Sequence, residues 1–235
     1  MSTVKYVNKI NNLRYPNKYL SVKKKPRIAL FLHHPICSAH CVAGMHEALY
    51  EKYDVRCYTV DQIRPNLLKN TKIIAFPGGE GESTKFHSIL GPHIDFFKEF
   101  LDKRGKYLGV CMGAYWAGSK YFDILRNLDT FQYIKRRKAE IRRSHPTTID
   151  VYWDDSKYRM YFYDGCAIVG NGRHEAIASY MNGDAMAIIQ NNVGIIGCHP
   201  ESMKSWYEKP YLSSYWHRGL HHKLLAEFTD ELLER

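Results

Sequence analysis

Residues 106–118 read KYLGVCMGAYWAG. An apolar run stops at Cys111, which stands between Gly109 and Gly113, and resumes as a helix-forming stretch. Glycines two residues before and two after a nucleophile are what a sharp strand-to-helix turn requires, because side chains there would collide with neighbouring backbone. The spacing is the cysteine form of the G-x-S-x-G elbow. It predicts that Cys111 is displayed above the carboxyl edge of a parallel sheet, with its sulfur at a helix N-terminus that favours thiolate over thiol. The alternative is a packed cysteine in a strand end softened by glycine, and the flanking strand and helix patterns favour the elbow.

Outward from this stretch the chain alternates. RIALFLHH (27–34), DVRCYTVD (54–61) and KIIAFPGG (72–79) read as buried strands. CSAHCVAGMHEALYEKY (37–53) and HIDFFKEFLDKRG (93–105) read as helices, the second closed by Gly105 as its C-cap. Short apolar strands separated by helices imply right-handed crossovers and a parallel sheet covered on both faces. After residue 123 come the short β-rich runs MYFYDGCAIVG, EAIASYM, AMAIIQ and GIIGCHP, with Asn182-Gly183 as a type I′ hairpin signal. LHHKLLAEFTDELLE (220–234) repeats Leu220, Leu224, Phe228 and Leu232 at steps of four, which makes a closing helix. The fold class expected is α/β: a doubly wound, mainly parallel, flavodoxin-like sheet with an antiparallel extension and a C-terminal helix. Residues 1–25 read as a polar basic arm, and 26–235 as one domain.

Bulk composition sets the limits. The 235 residues are 45% hydrophobic, enough for an ample core. No run approaches the ~20 apolar residues of a membrane span, and the polar N-terminus shows no secretory leader, so a cytoplasmic protein that does not enter membranes is expected. Without an oxidising compartment the six cysteines are expected reduced. The formal charge of +10 is concentrated in KKKPR (23–27) and KRRKAEIRR (135–143). No nucleic-acid module accompanies these runs, so they read as solvated faces and nucleic-acid binding is not expected.

A thiolate nucleophile needs a proton shuttle. GIIGCHPES (194–202) is a strand running into His199-Pro200-Glu201. Proline extends the residue before it, and residues two apart in an extended segment face one side, so Glu201 can hold the His199 imidazole with its other nitrogen toward Cys111. FPGGEGES (76–83) follows a strand, and the N–H groups of Gly78, Gly79 and Met112 are candidates for holding an oxyanion. Histidines and cysteines in HHPICSAHC (33–41) invite a zinc reading. Cys37 and Cys41 stand one helical turn apart, where small half-apolar residues face a core, so no metal site and no cofactor is assigned there, although some of these side chains can line the pocket.

The motifs FPGGEGES, GKYLGVCMGAYWAG and IIGCHPES, with the hairpin runs YFYDGCAIVG and IASYMNGDAMAII between them, resemble those of the class I glutamine amidotransferase-like superfamily. Within it the chain looks most like the glutamine-amidotransferase-like domain at the N-terminus of eukaryotic biotin-protein ligases, in stand-alone form. The resemblance spans roughly residues 26–202. It implies a doubly wound fold and a Cys111/His199/Glu201 triad acting on a small amide. It does not imply biotin ligation, since no GRGRxxR-type signature occurs. One departure bears on substrate: the glutamine that usually lies two residues after the second glycine is Tyr115 here, so one element of the glutamine pocket is missing. Two functions follow: a cysteine-dependent amidase or amidotransferase-like hydrolase, and a non-catalytic or regulatory binding module of the biotin-ligase N-terminal type. Substrate, oligomeric state and pathway are not legible.

Overall fold

The computed structural model describes residues 9, 25–33, 36–79 and 83–235. Most of the arm read over residues 1–25, the middle of the glycine-rich run (80–82) and His34-Pro35 lie outside the described residues. No helix among the described residues is long and apolar enough to cross a membrane.

Among the described residues eleven strands form one sheet. Its parallel part is β1 (Arg27–Phe31), β2 (Asp54–Tyr58), β3 (Thr71–Phe76), β4 (Lys106–Val110) and β11 (Val193–Ile196), in the order β2-β1-β3-β4-β11. The inner strands β1 and β4 are buried on both faces, as RIALF and KYLGV show by their lack of alternation. Beyond β11 the sheet turns antiparallel through β10 (Ala185–Gln190), β9 (Glu175–Tyr180), β6 (Thr147–Trp153) and β7 (Ser156–Phe162). β5 (Leu128–Gln132) pairs with β8 (Cys166–Gly170), which joins β10 off the main path. The doubly wound α/β sheet with its antiparallel extension is the fold class that the alternating pattern predicts.

Helices cover both faces. Phe76 and Tyr107 project to one side, where Phe86 of α2 (Ser83–Leu90), Phe97 of α3 (Ile94–Asp102) and Trp116 of α4 (Met112–Trp116) close over them. Phe86 stacks on Trp116 at 3.8 Å, and each such ring contributes about 1.5–3 kcal/mol by leaving water. On the other side α5 (Leu220–Glu234) lies along β11, where Gly194 leaves room for Phe228 and Leu232. The α1 helix (Ala39–Leu49) packs beside α5.

Several local expectations change in detail. The left-handed residue after α3 is Arg104 (φ 66°), not Gly105; Gly105 is small because a Cβ would stand 2.2 Å from the Phe100 ring. The β9–β10 hairpin forms, but positive φ falls on Gly183 (87°) and not on Asn182, so the turn is not type I′. Asn182 instead accepts the Asp184 N–H at 3.0 Å and reaches the Arg137 carbonyl. Leu220 is 47% exposed, while Leu224, Phe228 and Leu232 form the buried stripe of α5.

The sheet order brings three sequence motifs together. β3, β4 and β11 are consecutive neighbours with Phe76 opposite Gly109 and Ile196 opposite Val110, so the chain leaves all three strands at one carboxyl edge. Gly113 seals this edge: its N–H donates to the Pro77 carbonyl at 3.1 Å, and a Cβ there would stand 2.0 Å from the Phe76 carbonyl oxygen. Gly113→Ala is expected to cost about 3 kcal/mol in urea unfolding. Gly183→Ala, strained only by its φ in open space, costs about 1 kcal/mol. Equal costs would show that the elbow tolerates expansion.

Candidate active site

Cys111 sits between β4 and α4 with φ 50° and ψ −104°, a backbone conformation that a residue with a Cβ rarely adopts. Its N–H donates to the Ile196 carbonyl at 2.8 Å and its carbonyl accepts from Tyr115 N–H at 3.1 Å, so the strain is held by hydrogen bonds on both sides. Gly109 is required because a Cβ would stand 2.4 Å from the Gly113 carbonyl oxygen. The elbow therefore forms, with two corrections. Cys111 is only 6% exposed, at the junction of two cavities instead of standing proud of the edge. The helix behind it is five residues long, so its contribution to thiolate stability is small.

His199 leaves β11 two residues after Gly197, its N–H fixed to the Tyr161 carbonyl at 3.0 Å. Its Nδ1–H donates to Glu201 Oε1 at 2.8 Å, and both side chains are buried. Glu201 is held against α1, where a Cβ on Gly44 would stand 2.3 Å from the Glu201 carbonyl oxygen. With Nδ1 committed to the carboxylate, the free imidazole nitrogen is Nε2, and Cys111 and His199 line one cavity. Tyr161 and Trp206 stand edge-on to the imidazole at 5.9 and 5.4 Å. Burial alone would lower the His199 pKa. The negative charges of Cys111 and Glu201 outweigh burial and hold it well above its ordinary 6.5.

Gly79 borders both cavities beside Cys111, and a Cβ on it would strike the Ile36 carbonyl oxygen at 2.1 Å. Among the described residues the amides of Gly79 and Met112 donate to no carbonyl or side chain, which leaves them available to an incoming oxygen. The Gly78 amide likewise has no such partner among the described residues, and Gly78 also makes room for its neighbours. Its carbonyl accepts from Ser38 N–H, and its missing side chain makes room for Cys41 Sγ and His199 Cε1, each 2.8 Å from where a Cβ would stand. Tyr115 lies in the wall of the larger cavity, of about 940 Å³, and donates its phenol to the Asp164 carbonyl at 3.1 Å.

Two groups escape a reading by motif. Cys41, on the first turn of α1, meets the same His199 ring, their donor atoms lying within 4.8 Å of one another; the spacing Cys37-x3-Cys41 marked it as a pocket residue without saying what it meets. Cys37 turns away, toward the Phe31 carbonyl and the His33 N–H. The basic run 135–143 is also more than a solvated face. Lys135 and Arg136 line the larger cavity, where Arg136 forks onto Asp184 at 2.8 and 3.0 Å.

With this geometry in view, the comparisons with known proteins align. The family described as "Biotin-protein ligase, N terminal" matches residues 34–127, which include Gly78, Gly79 and the elbow but end before His199. The fold is glutamine-amidotransferase-like, and residues 34–127 are similar to the N-terminal domain of biotin-protein ligases. A glutamine amidotransferase from Thermotoga maritima superposes with a TM-score of 0.65 at 13% identity, covering 91% of this chain and all of that one. A second solved glutamine amidotransferase gives 0.63 at 15% identity, over 88% of this chain and 99% of that one. One from Methylobacillus flagellatus gives 0.56 at 9% identity, over 90% and 94%. Identities this low show a shared fold. No curated protein sequence matches the chain.

Two measurements check the geometry of this site without a substrate. Removing Cβ at the left-handed position relieves strain, so Cys111→Gly is expected to be about 1 kcal/mol more stable than Cys111→Ala; the reverse order would show an unstrained elbow. Because the His199 pKa is raised in the folded state, the stability it contributes is complete below pH 6.5 and is lost as pH rises through the higher folded value. The difference in unfolding free energy between wild type and His199→Asn should therefore shrink as pH rises above 6.5. A difference that grows over that range would contradict the assignment.

Proposed function

We propose that this protein is a cysteine-dependent amidase or amidotransferase-like hydrolase acting on a small amide. The observation that carries the reading is the buried His199–Glu201 pair, which turns one imidazole nitrogen toward a cysteine held in a strained elbow. In this reaction Cys111 attacks the amide carbonyl as thiolate, and the tetrahedral oxyanion is received by the N–H groups of Gly79 and Met112. His199 Nε2 gives its proton to the departing amine; then, as base, it takes one from the water that cleaves the thioester. Glu201 fixes the tautomer and stabilises the imidazolium.

Tyr115 and the cations of the cavity wall define what can enter. The phenol occupies space where a glutamine-binding residue is usual, so free glutamine is a poor substrate, and Lys120 and Lys135 favour an amide with an anionic group elsewhere. The second reading, a regulatory binding module, draws on that same tyrosine and on the relation to an accessory domain of a ligase.

An activated acyl donor such as a p-nitrophenyl ester, followed by intact mass, tests the proposal. Wild type should gain one acyl group on Cys111, and Cys111→Ala none. Glu201→Gln should acylate roughly 10³–10⁴-fold more slowly at an unchanged melting temperature. Equal acylation of wild type and Cys111→Ala would favour the binding module. Robust ammonia release from glutamine that requires Cys111 would overturn the role given to Tyr115.

A further inference from the structure

Cys41 is the buried group that hydrolysis leaves unused. It is 6% exposed, and its donor atom lies with those of His199 and Glu201 inside a set whose members are all within 4.8 Å of one another. Gly78 permits this approach, since a Cβ there would stand 2.8 Å from Cys41 Sγ and from His199 Cε1. Cys111 stands outside that set but borders the same cavity as Cys41 and His199. His199 Nδ1 is committed to Glu201 Oε1, so the nitrogen left for both sulfurs is Nε2. Glu201 Oε2 is buried and, among the described residues, has no hydrogen-bond partner.

Two thiolates and one imidazole nitrogen are soft and borderline donors, the set preferred by d¹⁰ cations. A carboxylate on the far imidazole nitrogen is the arrangement that fixes ligating histidines. Three protein ligands leave a fourth position open, and the cavity of about 570 Å³ bordered by Cys41, Cys111 and His199 provides access to it. Cys37 is not part of the set, because its sulfur turns to β1.

We propose that Cys41 Sγ, Cys111 Sγ and His199 Nε2 bind one Zn²⁺, with Glu201 holding the ring and water in the fourth position. Binding releases two protons to solvent, that of the Cys41 thiol and the one held by the Cys111–His199 pair, and withdraws the nucleophile and its base together, so zinc is an inhibitor of the chemistry at this site. The inference uses the same residues as the hydrolase reading but does not require turnover.

The test titrates reduced, metal-free protein with Zn²⁺ against a chromophoric chelator, using a phosphine reductant that does not bind the metal. One Zn²⁺ per chain is expected, with affinity falling at least about 100-fold in Cys41→Ser and about 10–100-fold in Glu201→Gln. One equivalent of Zn²⁺ should shield Cys41 and Cys111 of wild type from alkylation, as read by peptide mass, and Co²⁺ should give a thiolate-to-metal absorption band. Those wild-type readouts stand even where a variant folds poorly. No binding, or binding without shielding and without the cobalt band, overturns the proposal. Zinc bound in this way by a protein that acylates nothing leaves the inference intact while the hydrolase reading fails; acylation without zinc binding does the reverse.

Discussion

The left-handed backbone of Cys111 is the constraint on which the rest depends. One non-glycine residue at φ 50° and ψ −104° turns the chain from a central strand into a helix within a single step. That turn is possible only because Gly109 and Gly113 remove two side chains that would strike the Gly113 and Phe76 carbonyl oxygens. Strain of about 1–3 kcal/mol at such a position persists only where the surroundings over-determine it. Here they do: bonds to Ile196 and Pro77 tie the elbow to both neighbouring strands, and the aromatic cluster around Phe76 and Trp116 backs it.

From that point the site assembles by adjacency. β11 lies beside β4, so the turn after Ile196 delivers His199 to the elbow; β3 lies on the other side, so Gly78 and Gly79 arrive there too. The α1 helix contributes from above, with Gly44 receiving the Glu201 backbone and Cys41 meeting the imidazole. Surroundings separate the thiols by character, since all six are buried. Burial pushes Cys57 and Cys198 up to about 12, which makes them inert, whereas Cys111 borders two cavities, one of them shared with His199.

Much of this is legible in the sequence, for identifiable reasons. Strands buried on both faces read as continuous apolar runs, and the glycine spacing around Cys111 encodes a steric requirement, so the parallel half and its elbow are predictable. His199-Pro200-Glu201 is legible because proline extends the chain and places both side chains on one side. What escapes are features made by distant chain segments. The meeting of Cys41 with His199 depends on the packing of α1 over a strand end 150 and more residues later, and no local pattern carries it. Lys135 and Arg136 look like a charged surface run until the β9–β10 turn supplies Asp184. TTIDVYW, which forms β6, has strong β propensity, but LDTFQ forms β5 at the edge of the sheet with little burial to mark it. The Arg104 and Asn182 outcomes show that a glycine beside a turn need not be the residue that takes the positive φ, and that its partner can be held by side-chain hydrogen bonds.

The central claim is that Cys111 and His199 act as one reactive pair, and the rate of alkylation at each cysteine tests it most directly. With a small haloacetamide at neutral pH and peptide-resolved mass spectrometry, Cys111 should react well ahead of the other five thiols. His199→Asn, with its melt recorded beside wild type, should slow Cys111 to their level. A Cys111 that reacts no faster than Cys57 or Cys198 in wild type, or one whose rate is indifferent to His199, would contradict the account.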